Sequence, residues 1–467
     1  MRVAQAPHRL PLLGNALPLA LRRTAYLQTL REVGEVVEVA VGRRRLYVLN
    51  SPQAIHEVLV TQGEHFDKGP MFDNLGPFLG NGVLTCPRSE HRSQRRTLQP
   101  AFQRQAVARY APAIARKAAE QTAGYQEGQI LDMRAELRRI TVLVMGGIMI
   151  AADGTEDVAQ QMHRSLPLLI RGVMRRTLMP AEFLNRIPTP ATRRYDRAAA
   201  DLRAAVGRTL DDYRRGDGAH DDVLSGLLAA RDEDGRPLAD ELIIDQIVTL
   251  LLTGSDSTTA TMSWFLHALS RNPAAEAAIR DELDRTLGGR LPTVADLPDL
   301  PRLTDALHES LRLHHPVWFL TRRSVAPVRI AGTDHPAGTE FAYSLATLHR
   351  DPGLFPDPLA FRPERWSAQE LPQRNAWIPF GAGTRKCIGD DLAMTEMLLI
   401  LAVILKDWSL RPAEDRPVRP VPLAVIHPDR LMLRLQRPSR RTLPTPPAPE
   451  EPVRGTASGP GGASRSG

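Results

Sequence analysis

The chain has 467 residues, 42% hydrophobic and 24% charged, with a formal net charge of +7. It is long enough for one extensive core or two modest ones. With only two cysteines, Cys86 and Cys387, a disulfide framework and a multi-cysteine metal centre are excluded, so a sulfur-held metal would rest on a single thiolate.

Nucleic acid is not an expected partner. Aromatic residues make up 5% of the chain, and no basic segment is interleaved with stacking side chains. The positive charge reads as a solvated, arginine-rich surface or as a docking face for an acidic partner.

In chain order, the opening MRVAQAPHRLPLLGNALPLALRR is broken by Pro, Gly and Arg. It falls short of the roughly 18 apolar residues that span a bilayer. It also lacks the order of a secretory signal, so a cytoplasmic protein without a membrane span is expected. VVEVAVG and RRLYVLN, on either side of a turn near Gly42 and Arg43, predict a β-hairpin. From about His91 to Asn272 the pattern is mostly helical. It closes with a long helix from about Asp240 to Ser270, ahead of Pro273. Short β-like pieces return between Val325 and Thr339, and Met394 to Leu405 is an apolar helix. From Arg437 the chain is rich in Pro, Gly and Ser, has too few apolar residues to pack, and is expected to be disordered. The expected organisation is mainly α with small β-sheets: one domain over 1–436 and a tail over 437–467.

The first chemical motif is Phe380-Gly-Ala-Gly-Thr-Arg-Lys-Cys387-Ile-Gly389. A thiolate ligand to haem iron needs a deprotonated sulfur, which a helix N-terminus favours. Gly389, Asp390 and Asp391 suit such a start just after Cys387. Gly381, Gly383 and Gly389 would let backbone approach a flat cofactor, and the Arg385 fork fits a propionate. Cys86 has no such setting and reads as a buried structural cysteine.

A second motif is Glu309-Ser-Leu-Arg312, whose charged residues share one helix face. A third is Thr253-Gly254-Ser255-Asp256-Ser257-Thr258, in the middle of the long helix. A mid-helix glycine costs about 1 kcal/mol against alanine, and Ser or Thr bends a helix by bonding back to carbonyls. The two readings are a local opening for a small ligand, with an acid beside a hydroxyl to deliver protons, and a polar stripe on a buried helix.

These motifs, in this order, resemble the cytochrome P450 family from about residue 10 to residue 435. The resemblance implies a helix-rich prism enclosing haem b, with Cys387 as the iron ligand and Phe380, Gly381, Arg385 and Gly389 around it. It implies a buried triad of Glu309, Arg312 and Arg365 (from Phe-Arg-Pro-Glu-Arg-Trp) that locks the Cys loop. Asp256 and Ser257 match the family's acid–alcohol pair, Gly254 its helix glycine, and Thr253 or Thr258 could share the task. Ser257 stands where threonine is usual. Arg95 and Arg322 match propionate-binding positions. His91 stands where tryptophan is usual, and reads either as a propionate donor or as an exposed histidine at a helix start.

The implied activity is monooxygenation of a hydrophobic small molecule with O2. Electrons would come from a separate partner, a ferredoxin with its reductase. HRSQRRTLQPAF, RGVMRRTLMPAEFLNRIPTPATRRYDRA and WFLTRRSV narrow the resemblance to bacterial sesquiterpene oxygenases of the epi-isozizaene 5-monooxygenase and pentalenene oxygenase type. Expected pocket residues are Met71, Phe72, Leu75, Phe78, Leu251, Leu252, Val317, Trp318, Phe319 and Leu320. A fatty acid or macrolide substrate, a peroxide-driven peroxygenase and a haem-thiolate sensor are the alternatives. The acidic clusters Asp221-Asp222 and Asp232-Glu233-Asp234 raise a magnesium-dependent terpene cyclase, but solvated helix ends account for them better.

Overall fold

A computed structural model describes residues 3–73, 75–151, 155–178, 189–216, 222–368 and 375–438. Helices dominate, with small sheets at the two ends of the sequence. The largest sheet has six strands: β1 (Ala4–Gln5), β2 (Val36–Val41), β3 (Arg44–Leu49), β4 (Phe66–Lys68), β5 (Leu320–Ser324) and β6 (Glu340–Tyr343). Their spatial order is β1-β2-β3-β6-β5-β4. The expected hairpin is β2–β3, in antiparallel register from Val36↔Leu49 to Val41↔Arg44. Gly42 takes φ +60° at its turn, a region that glycine enters without steric cost. β4 pairs with β5, which brings Lys68 opposite Arg322.

Five helices frame the interior: α1 (Arg88–Leu98), α2 (Met133–Met149), α3 (Asp240–Leu269), α4 (Pro301–Leu313) and α5 (Asp390–Asp407). α3 carries buried side chains along most of its length, as a helix that is apolar on most sides must. α5 starts at Gly389 and has Asp390 and Asp391 in its first turn, where carboxylates favour the helix dipole. It is buried from Glu396 to Leu405. The last hairpin, β7 (Pro420–Pro422) with β8 (Ile426–Pro428), packs against α3: the Trp264 indole donates to the Ile426 carbonyl at 2.9 Å.

Among the described residues no helix is long and apolar enough to cross a membrane. The expected tail lies outside the described residues from 439 onward. Arg437, placed in that tail by the sequence, instead stacks its guanidinium over Trp408 at 4.0 Å. Asp222 caps the helix Val223–Ala229 by accepting from the Ser225 N–H, and Asp232 closes a turn through the N–H groups of Asp234 and Arg236. These are the helix-end and turn duties that carboxylates serve. Asp221 lies outside the described residues.

Candidate active site

One large cavity of ≈ 420 Å³ lies between the Cys loop, α1, α3 and β5. Cys387 lines it. The cysteine is accessible because it faces this open space, yet the protein mass around it is dense. Burial therefore pushes its thiol up, and a hydrogen bond from the Gly389 N–H opposes that push. The loop is closed by Cys387 N–H donating to the Phe380 carbonyl at 2.9 Å. Arg95, on α1, donates to the Lys386 carbonyl at 2.6 Å. Phe380, Gly381, Arg385 and Gly389 all line the cavity.

The loop glycines serve different ends. Gly381 has φ +74° with open space where a Cβ would stand. Gly383 was expected to face the cofactor, but a Cβ there would collide with the Leu59 carbonyl. Its smallness lets the loop dock on the segment Glu57–Thr61.

At one end of the cavity the lining is strongly basic: Lys68, His91, Arg95, Arg322 and Arg385. Asp67 pairs with Arg385 at 2.8 Å, but Arg385 Nη1 is buried with no hydrogen-bond partner. Lys68 is held well below the usual lysine range, first by burial and then by Arg385. His91 is pulled down to about 3, first by burial and then by the neighbouring cations Arg385, Lys68 and Arg95. His91 is buried, so its reading as an exposed histidine is set aside; neutral, it keeps one N–H to donate. A buried cluster of cations with an unpaired donor calls for anionic oxygens. The two carboxylates of a haem meet that demand, and the thiol stands in the same cavity. The residues present therefore fit a haem. Asp67 and Lys68 were missed by sequence reasoning, because only the β4–β5 pairing brings them to Arg385 and Arg322.

The α3 wall differs from expectation in one respect. The helix runs unbroken through Gly254, with no local opening. The Ser257 hydroxyl donates to the Thr253 carbonyl at 2.8 Å, and that of Thr258 to the Gly254 carbonyl at 2.7 Å. This back-bonding satisfies the hydroxyls within the helix. A Cβ at Gly254 would strike the Met145 side chain of α2, so the glycine permits close helix packing. Thr253, Gly254, Asp256, Ser257 and Thr258 nevertheless all line the cavity. Asp256 is bonded to His427 at 2.8 Å, a partner 171 residues away that no local pattern announces.

Of the expected pocket residues, Met71, Phe72, Leu75, Phe78, Leu252, Val317 and Leu320 line the cavity. Leu251, Trp318 and Phe319 do not. Leu251 belongs to the hydrophobic core, because about 100° of helix rotation per residue turns it away from Leu250 and Leu252. The Trp318 indole donates to the Leu423 carbonyl at 2.8 Å, and its ring packs near Phe319 in a separate core cluster. Leu166, Leu169, Met145 and Val425 complete an apolar lining that only tertiary packing assembles.

The charged triad is formed and fully buried: Glu309, Arg312 and Arg365 are each 0% exposed. Glu309 accepts from Arg312 at 2.8 and 2.9 Å, from Arg365 at 3.0 Å and from the Trp366 indole at 3.0 Å. Arg312 also donates to the carbonyls of His349, Pro358 and Ala360. The triad thus grips the segment from His349 to Trp366 and does not hold the Cys loop directly. Two buried histidines make that link. The His349 ring accepts from the Ile378 N–H at 3.4 Å. The His315 ring bridges two backbone carbonyls, that of Val317 at 2.8 Å from Nδ1 and that of Pro379 at 2.9 Å from Nε2. Burial keeps both rings below the usual imidazole range.

Glu396, on α5, also lines the cavity and is 1% exposed with Oε1 unpartnered. Burial pushes its carboxyl up to about 8, so it is a neutral acid at neutral pH. The unfolded chain gives up this proton from its ordinary 4.5 upward, so stability falls as pH rises from there to about 8. Glu396→Gln keeps shape and neutrality. It is expected to flatten that dependence and to gain on the order of 3 kcal/mol at alkaline pH. Thermal unfolding on both sides of this window measures the effect.

A thiol at the foot of an apolar cavity, a basic end that fits propionates and a carboxyl on the facing helix define a haem-thiolate oxygenase site. The sequence pattern of the cytochrome P450 family matches residues 5–435, and the chain belongs to that family of haem-iron monooxygenases. It is 37% identical to cyclooctatin synthase of Streptomyces melanosporofaciens, over 89% of this chain and 92% of the relative. It is 38% identical to cyclooctat-9-en-7-ol 5-monooxygenase of the same organism, over 87% and 89%. Pentalenene oxygenase of Streptomyces avermitilis is 36% identical over 92% of this chain and 96% of the relative.

Proposed function

We propose that this P450 hydroxylates a cyclic terpene hydrocarbon, or an early oxidised derivative of one, in secondary metabolism. The observation that carries the reading is the apolar lining of the cavity around Cys387. It offers a hydrocarbon burial and shape but few polar anchors. The relatives' named substrates agree with it.

When bound, the haem supplies reductive activation of dioxygen and delivery of one oxygen atom to a C–H bond. The protein's residues do the rest. Cys387 holds the iron and lends it electron density. Lys68, His91, Arg95, Arg322 and Arg385 hold the propionates. Phe72, Leu75, Phe78, Leu252, Val317 and Leu320 orient the substrate and exclude water. Asp256 carries protons into the cavity, and Ser257 or Thr258 passes them on by releasing its bond to a helix carbonyl. Catalysis belongs to the unit 1–436. Two unpaired cysteines fit a reducing compartment, the cytoplasm.

Titration of the purified holoenzyme with cyclic terpenes tests the substrate class. A shift of the haem to high spin with at least one terpene is expected. A shift with fatty acids or macrolides and none with any terpene would overturn the assignment.

The electron donor we propose is an acidic ferredoxin. Arg92 and Arg96 on α1 and Lys386 beside the ligand are exposed; with Arg95 they set four cations near the Cys loop against Glu233 and Asp390, which pair with Arg96 and Lys386. Opposite charge speeds such encounters, and salt screens it within about 10 Å at 0.1 M. Electron transfer from a ferredoxin is expected to slow several-fold as ionic strength rises. A rate insensitive to salt would count against this donor.

A further inference from the structure

Asp256 does not stand alone in the α3 wall. Its Oδ1 lies 2.8 Å from Nε2 of His427, on β8. Asp256 is 7% exposed and His427 2%. Asp256 lines the cavity and His427 does not, so the carboxylate stands between the cavity and the imidazole. Among the described residues, no other side chain hydrogen-bonds to Asp256. Nδ1 of His427 is buried without a protein partner, and a buried polar atom in that condition needs a reason.

The imidazole is held from several sides. Trp264 fixes the Ile426 carbonyl. Arg134 of α2 donates to the carbonyls of Pro428 and Asp429 at 3.2 and 3.3 Å. Arg134 is half-buried, and burial first and Arg138 next hold it below the usual arginine range, against the opposing pull of Asp256 and Asp132. These contacts hold the backbone on either side of His427.

We propose that His427 is the positioning residue of Asp256 and recharges it with protons drawn from solvent. The inference rests on the reading of Asp256 as the acid of the site. Nε2–H gives its proton to Oδ1 while Nδ1 takes one from water. Asp256 then releases a proton into the cavity. Turning about Cβ–Cγ then carries the bare Nε2 off Oδ1, where it takes a proton from water as Nδ1 returns one, and the ring turns back. Each passage moves one proton inward and restores both residues; no electrons move, since these come from the redox partner. A neutral imidazole suits the duty because its two nitrogens are donor and acceptor at once.

The test compares His427→Gln with Asp256→Asn in the full-length holoenzyme, with pentalenene as the probe hydrocarbon. The readouts are the share of consumed dioxygen released as hydrogen peroxide and the solvent isotope effect on oxygen consumption. Glutamine retains a donor near Oδ1 but cannot shuttle a proton. Both variants are expected to release several-fold more peroxide and to show a larger isotope effect, with the haem spectrum and melting temperature of the parent. If Asp256→Asn uncouples and His427→Gln does not, the inference fails and the reading of Asp256 stands. If Asp256→Asn couples normally, that reading fails and takes the inference with it. Nitrogen NMR of the histidine-labelled parent decides independently, including where the glutamine variant does not fold. Nε2 protonated, and shifted in Asp256→Asn, is the expected signature; Nδ1 protonated with Nε2 bare would overturn the proposal.

Discussion

Cys387→Ala is expected to abolish the thiolate signature of the carbon monoxide complex and to lower turnover on the order of a thousandfold or more, about 4 kcal/mol in activation free energy. The other cysteine cannot substitute. Cys86 is buried at 1% exposure, and its Sγ points to the Val83 carbonyl at 3.7 Å. Burial pushes its thiol up, as for an inert structural cysteine. Cys86→Ala should keep the spectrum and cost about 1 kcal/mol for the lost packing. Spectra of the two reduced, carbon monoxide-treated variants separate the roles. A retained thiolate band in Cys387→Ala would refute the ligand assignment.

The largest expected effect on stability is at Glu309. It is the shared acceptor of two arginines and an indole, in a site with no solvent exposure. Glu309→Gln leaves two guanidinium groups buried without a counter-charge. Removing one partner of a buried ion network costs about 3–5 kcal/mol, a large part of a domain's stability. By contrast, the Arg329–Asp334 pair is 67% and 81% exposed, and Asp334→Asn should shift stability by less than about 1 kcal/mol. Denaturant midpoints of the two variants give the comparison. The Glu309 change should also loosen haem binding, because the gripped segment includes His349, which hydrogen-bonds Ile378 ahead of the Cys loop. Equal midpoints would show that the triad does not carry the stability its burial implies.

How far the sequence reaches follows from the distance over which each signal acts. The β2–β3 hairpin, α3 and α5 rest on period, turn chemistry and caps within a few residues of one another. The strands agree with the sequence reading, α3 within a residue and α5 extended at both ends. Asp222 was legible as a helix-end carboxylate, but it is buried and not solvated, because the Tyr213 hydroxyl and the Ala151 N–H cover it from other segments. Gly254 was legible as a residue with a purpose but not as to which one, since Met145 comes from another helix. Leu251 and Leu252 are equally apolar, and only helix rotation separates the one in the core from the one in the cavity. The triad's residues were legible, but not its route to the Cys loop through His349 and His315.

By itself, the sequence determined the kind of chemistry. A lone cysteine in a glycine- and arginine-bearing loop ahead of a helix, with an acid–alcohol pair and a Glu–Arg pair upstream, is local chemistry that short-range order carries. The tertiary structure alone decided the surroundings. It brought Asp67 and Lys68 to the basic end of the cavity, turned Trp318 and Phe319 out of the pocket and placed His427 against Asp256. The physical reason is that contacts between distant segments depend on how helices and strands pack, and burial, charge balance and proton supply are set by those contacts.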